Sequence, residues 1–223
     1  MGASQTRTRH KYYDLSEKTG FSLEQINNLH ERFLHLSENE DTLSRENLNR
    51  LPDLANNPLR KQIVEAFFDK RNQHQEEAGF FQEIGFEQFL VVMSHFRPPK
   101  TKMSDEDKQA LRKEKFRFLF NMHDTDNDGT ITLEEYREVV EKLLSESGAI
   151  EEQAVKRIAD AAMLEVASTN VPHMAPDEFY EGITFEHFEQ ILKGFEMESR
   201  MHIRFLDGGT RMRCRKPTTG SSS

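Results

Sequence analysis

The chain has 223 residues, 35% hydrophobic and 31% charged, with a formal net charge of −9. That is length for one large domain or two small lobes, and too acidic a balance for a general nucleic-acid binder, which needs a basic face. No apolar run approaches the roughly 18–20 residues that span a bilayer, the start lacks the apolar core of a secretory signal, and the single cysteine, Cys214, leaves no internal disulfide, which fits a reducing compartment.

The first segment, 1–19, opens with "MGASQT". It fits the pattern Met-Gly-x-x-x-Ser/Thr, with Gly2 as acceptor of an N-myristoyl group and Thr6 as the hydroxyl position. Arg7, Arg9 and Lys11 follow. One acyl chain anchors only marginally, so local positive charge would assist at an anionic inner leaflet. The lipid could instead tuck into an apolar pocket of the protein, and an unmodified terminus is the plain alternative.

From residue 20 onward an apolar anchor followed by a stripe at +5, +8, +9 and +12 recurs four times. Leu43 leads to Leu48, Leu51, Pro52 and Ala55, a match that weakens after two positions. Ile84 leads to Phe89, Val92, Met93 and Phe96; Ile131 to Tyr136, Val139, Val140 and Leu143; Ile183 to Phe188, Ile191, Leu192 and Phe195. Such offsets lie on one helix face, and their recurrence marks copies of one unit. The first two copies occupy 20–97. The segment before Leu43, "SENEDTLSREN" from Ser37, places Asp41 near a position where a tight turn wants glycine. The segment before Ile84, "DKRNQHQEEAGFFQEI" from Asp69, is about eight residues longer than a 12-residue loop. Pro98 and Pro99 then end a helix, 98–109 reads as a linker, and Ser104 with Asp107 resembles a capping box opening the next helix.

The third copy, in a second lobe over 110–206, carries "DTDNDGTITLEE" at 124–135. Counted from Asp124, acids stand at positions 1, 3 and 5 (Asp124, Asp126, Asp128), Gly129 at 6, Thr130 at 7, Thr132 at 9 and Glu135 at 12. This is the EF-hand calcium loop in every ligand position. A hard cation wants six to eight oxygens at roughly 2.3–2.6 Å. The three aspartates supply carboxylate oxygens, Thr130 its backbone carbonyl, and Glu135 two oxygens, which favours Ca²⁺ over its competitor Mg²⁺. Phe116, Leu119 and Phe120 before the loop, and the stripe after Ile131, predict amphipathic helices on both sides. An acidic turn without metal is the plain alternative.

Position 12 in the four copies is Asn47, Gln88, Glu135 and His187, so one acid survives. The fourth copy follows a helix expected over 151–168 with "TNVPHMAPDEFYEGI", interrupted by Pro172 and Pro176. The expectation is an all-α protein of four EF-hand units in two lobes, with short β bridges between paired loops, one calcium and three structural hands. Residues 207–223 read as a basic, disordered tail with Arg211, Arg213, Arg215 and Lys216. His30 and His35, five apart, share no helix face, and no catalytic triad, phosphate loop or His-Glu-x-x-His motif is present. No enzyme is expected.

"KTGFS", "PDL" with "NP" after it, "FRP", "RKEK" followed by "RFLF", "ITLEEYR", "YEGITFE" and "MHIRFL" together resemble the calcineurin B homologous proteins, over about 16–206. The tail beyond Leu206 departs from that pattern. The resemblance implies a calcineurin B-like, N-myristoylated cytosolic cofactor of plasma-membrane Na⁺/H⁺ exchangers. It would bind an amphipathic juxtamembrane helix in an apolar groove and aid the exchanger's maturation, surface stability and activity. It carries the calcium ligands onto Asp124, Asp126, Asp128, Thr130 and Glu135, and the lipid onto Gly2. It further implies a monomer that meets the inner leaflet, with the nucleus as a second location, and the calcineurin catalytic subunit as an alternative partner to inhibit. Groove residues are nominated from the exit helices: Phe89, Val92, Phe96, Val140, Leu143, Ile191 and Phe195, internal core being the alternative for each.

Calcium would relieve the repulsion of four crowded carboxylates, and capture by Glu135 would reposition the helix near Leu133 against the one ending near Met122. In sensor hands this exposes a helix-binding groove. A constitutive scaffold with structural calcium, or a phosphatase regulatory subunit, are the rivals.

Overall fold

A computed structural model describes residues 2–75, 79–100, 102–145, 152–170, 182–197, 201–206 and 209–211. The four apolar anchors meet in pairs. Strand β1 (Thr42–Leu43) runs antiparallel to β2 (Ile84–Gly85) with Leu43 opposite Ile84, and β3 (Thr130–Ile131) to β4 (Ile183–Thr184) with Ile131 opposite Ile183. All four anchor side chains are buried. The chain is therefore an all-α EF-hand fold with short β bridges, two hands to a pair. Gly182 shows how close the second bridge is: its φ is +150°, and a Cβ there would come within 2.7 Å of the Ile131 carbonyl oxygen.

Several helices start where polar side chains cap them. Ser22 opens α2 (Leu23–Leu36) and Ser44 opens α3 (Arg45–Asn49), each in a reciprocal box with Gln25 and Asn47. Gln88 likewise returns its amide oxygen to the Gly85 N–H, 3.0 Å away, at the start of α6 (Phe86–Ser94). Asn47 and Gln88 are the position-12 residues that lost the acid; they now cap their own helices. The first exit helix breaks as its weakening stripe suggested. After α3 the chain is extended at Leu51 (ψ 118°) and resumes in α4 (Pro52–Ala55), because the residue before a proline is driven out of the helical region. Helix α6 stops before Phe96, and α10 (Phe185–Ile191) before Phe195, so the stripes outrun the helices.

The second loop accommodates its extra length by a detour. After α5 (Arg60–Phe68), a 3₁₀ turn at Lys70–Gln73 follows. Its base is closed by Lys70 N–H to Gly79 O (3.0 Å) and Phe81 N–H to Phe68 O (2.8 Å). The chain thus rejoins the ordinary path ahead of Ile84.

Helix α7 (Asp105–His123), capped by Ser104, joins the two halves. Phe118 and Met122 pack into the N-terminal core with Phe33, Phe68, Phe89 and Val92, whereas Phe116 and Phe120 pack with Ile131, Met163, Ile183 and Phe185. Lys115 on the same helix is fully buried; it donates to the carbonyls of Arg97 and Met201. Ile203 joins the N-terminal core, its N–H bonded to Phe96 O at 2.7 Å. The C-terminal pair is completed by α8 (Leu133–Ser145) and α9 (Glu152–Asn170), which pack on each other with Arg137 bonded to Asp160 at 2.8 Å.

At one terminus the structure adds to the sequence reading and at the other it differs from it. The first segment is a helix, α1 (Gly2–Thr19); Leu15 and Thr19 are buried, and Tyr12 bonds His30 at 2.9 Å. Three residues of the segment expected to lack structure form β6 (Gly209–Arg211), paired with β5 (Arg204–Leu206): backbone pairing gives these polar residues an order that composition does not encode. The rest of that tail, with Arg213, Cys214, Arg215 and Lys216, lies outside the described residues, as do Pro172 and Pro176. No helix among the described residues is long and apolar enough to cross a membrane.

Candidate metal centre

The loop begins where α7 ends. Asp124 caps that helix, its N–H bonded to Phe120 O at 2.9 Å, and its side chain is fully buried. Carboxylate oxygens of Asp124, Asp126 and Asp128 lie within 4.8 Å of one another. The turn that gathers them uses left-handed backbone at Asn127 (φ +65°) and Gly129 (φ +91°). Only glycine takes the second value without strain.

Backbone amides hold each acid in place. Asp126 Oδ1 accepts from Asp128 N–H (3.1 Å), and Asp128 Oδ1 from Thr130 N–H (2.7 Å) and Oγ1 (2.8 Å). Glu135, in the first turn of α8, reaches both ends of the loop. Its Oε1 accepts from Thr125 N–H (2.6 Å) and hydroxyl (2.7 Å), and its Oε2 from Thr132 N–H (3.0 Å). Thr130 opens β3, opposite Thr184 of the fourth hand. The sequence-nominated ligands are thus brought to one loop.

Asp124 carries the test of whether a cation fits. Its Oδ2 accepts from Gly129 N–H (3.3 Å) and from Arg71 Nη1 (2.6 Å). Its Oδ1 is buried and has no partner among the described residues. A buried carboxylate oxygen without a donor is costly unless an ion completes it. An all-oxygen donor set with one such orphan suits a hard divalent cation. Burial pushes the Asp124 carboxyl up, against the pull of the Arg71 guanidinium, and Glu135 adds to the rise. Burial also lowers His123, next to the first ligand, to about 4.

Arg71 is the site residue that sequence reasoning missed. It comes from the 3₁₀ turn of the second loop, and it also bonds the buried Asp69 (2.8 Å) and the carbonyls of Asn121 (3.0 Å) and Asp124 (2.9 Å). Burial pulls Arg71 down, but its bonds to Asp69 and the charges of Asp69 and Asp124 outweigh that and raise it. An overlong loop carries no local signal of what it touches.

The nominated groove does not assemble as one surface. Phe89 and Val92 are 2% and 0% exposed and belong to the N-terminal core. That corrects their nomination: Phe33 of α2 and Phe67 of α5 pack on the Phe89 ring at 5.5 and 6.2 Å, so these side chains are core, the alternative the sequence left open. Phe96 packs against the same core, with its ring edge-on to Phe118 at 5.0 Å. Val140 is half-buried, while Leu143, Ile191 and Phe195 are exposed. Ile158 and Leu164 of α9, not nominated, are exposed as well. His187 is a helix-start residue, its N–H bonded to Thr184 Oγ1 at 3.4 Å. Gly2 opens α1.

A family model described as the EF hand domain matches residues 115–143, spanning the second half of α7, the loop and most of α8. The chain is 52% identical over 202 residues to a Xenopus laevis protein named calcineurin B homologous protein 3, covering 91% of this chain and 94% of that one. It is 50% identical to the Homo sapiens protein of the same name over 214 residues, 96% and 100% of the two chains. The Gallus gallus counterpart is 49% identical over 192 residues, covering 86% and 90%. Together with the EF-hand these relatives mark a calcium-binding regulatory protein. Identity near one half along nearly the whole length leaves one conclusion: the chain belongs to the calcineurin B homologous protein family.

Proposed function

We propose that this chain is a regulatory adaptor that holds an amphipathic juxtamembrane helix of a plasma-membrane Na⁺/H⁺ exchanger and supports the exchanger's maturation, surface stability and activity. One observation carries the reading. Of the large apolar side chains exposed among the described residues, Leu143, Ile158, Leu164, Ile191 and Phe195 all lie on α8, α9, α10 or just past it, leaving only Tyr13 and Phe80 elsewhere. An amphipathic helix docks through apolar anchors spaced three or four residues apart, and clustered exposed apolar side chains are what it covers.

The calcium loop leads directly into α8, which bears Leu143 of that set. Asp124, Asp126, Asp128, Thr130 and Glu135 would hold one Ca²⁺, or Mg²⁺ in competition with it. The ion supplies the positive charge that four carboxylates in one loop lack. Glu135 does the mechanical work on the protein side: it ties the first turn of α8 to Thr125, the second residue of the loop, so the angle of α8, which bears Val140 and Leu143, follows the closure of the loop. Myristoylation at Gly2 is the second part of the proposal. It rests on the "MGASQT" motif and would bring the chain to the inner face of the plasma membrane, with a nuclear pool besides.

Calorimetric titration with a synthetic juxtamembrane exchanger peptide tests the adaptor. Saturable binding is expected with calcium, and Ile191→Asp combined with Phe195→Asp should weaken it about tenfold or more. Equal affinity in calcium and in chelator makes the chain a constitutive scaffold with structural calcium. No binding in either condition, with inhibition of calcineurin, transfers the partner to that phosphatase.

A further inference from the structure

Arg71 is unlike a surface ion pair. Its side chain is 19% exposed, and it faces Asp69 at 3% and Asp124 at 0%. The planar fork is used on four partners at once: the carboxylates of Asp69 and Asp124, and the carbonyls of Asn121 and Asp124. A lysine could not span that set. The contact continues beside it. Asn121 Nδ2 donates to Asn72 Oδ1 at 2.9 Å, Asn72 Nδ2 donates to Ala66 O at 2.9 Å, and the Asn72 carbonyl meets His95 Nε2 at 2.8 Å. The degenerate second loop is thereby bonded, through buried groups, to the last turn of α7 and to the first calcium ligand.

The charges are unbalanced as they stand. Two buried carboxylates share one guanidinium, and Asp124 Oδ1 has no donor among the described residues. Half-satisfied buried networks are costly, and a cation in the loop completes this one. We propose that Arg71 is a positioning residue for the calcium loop: it holds Oδ2 of Asp124, leaves Oδ1 for the ion, and couples occupancy of the third hand to the second hand. Calcium bound in the C-terminal pair then tightens the contact made by Arg71, Asn72 and Asn121. The inference rests on calcium occupancy of the loop and not on the identity of the partner helix.

Amide hydrogen exchange on the full chain, in chelator and in saturating calcium, tests it. In the wild-type chain calcium should slow exchange across residues 66–75 about fivefold or more, the scale of an ordinary coupling energy. Helix α2, away from the contact, should change by less than about twofold. In Arg71→Gln the response of 66–75 should fall below about twofold while 124–135 still responds. Arg71→Lys should behave like Arg71→Gln, since charge alone does not span the partners, and it carries the test if the glutamine variant exchanges fast in α2 and is unfolded. Equal slowing of 66–75 in wild type and variants overturns the proposal, as does a wild-type loop that responds alone. A wild-type loop that does not respond overturns calcium occupancy itself, and the clasp with it.

Discussion

The second and third loops began from one plan and now do different work. The third keeps twelve residues, three converging aspartates and Glu135 at its close. The second carries a detour between Asp69 and Phe80, ends at Gln88, and has Arg71 where the fold presents it to its neighbour's first ligand. Both still deliver an apolar anchor to a two-residue bridge and a capping side chain to the next helix. The anchor and the cap are present in the loop without the converging acids as in the loop with them, because those two serve the fold whether or not an ion is present.

That comparison can be broken at several depths. The anchor comes first. Ile84 is fully buried, and Ile84→Ala should cost about 2–5 kcal/mol in urea unfolding; a loss under about 1 kcal/mol would mean that the degenerate pair no longer depends on its bridge. Position 12 comes next. Glu135→Gln should weaken calcium about a hundredfold and remove the single calorimetric site. Gln88→Ala should cost about 1 kcal/mol of stability, as a lost cap does, and leave calcium unchanged. Two strong sites in the wild-type chain would contradict the contrast between the loops.

The smallest test concerns pH. Burial lowers His95 to about 4, only partly offset by its bond to the Asn72 carbonyl of the second loop. The folded chain therefore keeps this ring neutral while the unfolded chain protonates it below about 6.5. Its contribution is present in full above 6.5 and is lost as pH falls toward 4. Between pH 7.5 and 5 the loss should be about 2 kcal/mol, and the pH slope of unfolding should shrink by that amount in His95→Gln. An unchanged slope would place His95 in contact with water rather than with the interlobe network.

The calcium loop was legible because its chemistry is local. Six ligand positions and a glycine lie within twelve consecutive residues, and their order dictates a turn that gathers oxygens whatever surrounds it. The four anchors were legible too, since helical and strand periodicities place Leu43, Ile84, Ile131 and Ile183 without knowledge of their partners, and the observed registers match them. The helical character of 2–19 was harder to see in a segment with few apolar residues; Leu15 and Thr19 are buried because α2 and α6 lie beside them.

Composition and spacing alone determined the class of fold, the pairing of the anchors and the acidic loop at 124–135 that is the candidate cation site. Tertiary structure decided which stripe is core and which is surface: Phe89 and Phe195 occupy equivalent-looking stripes, yet one is 2% and the other 50% exposed. It also decided that an arginine 53 residues before Asp124 meets that ligand. The physical reason is one of range. Ligand order and helical period act over a few bonds of chain, whereas burial and long-range ion pairs depend on what the rest of the chain brings alongside, and no short window contains that.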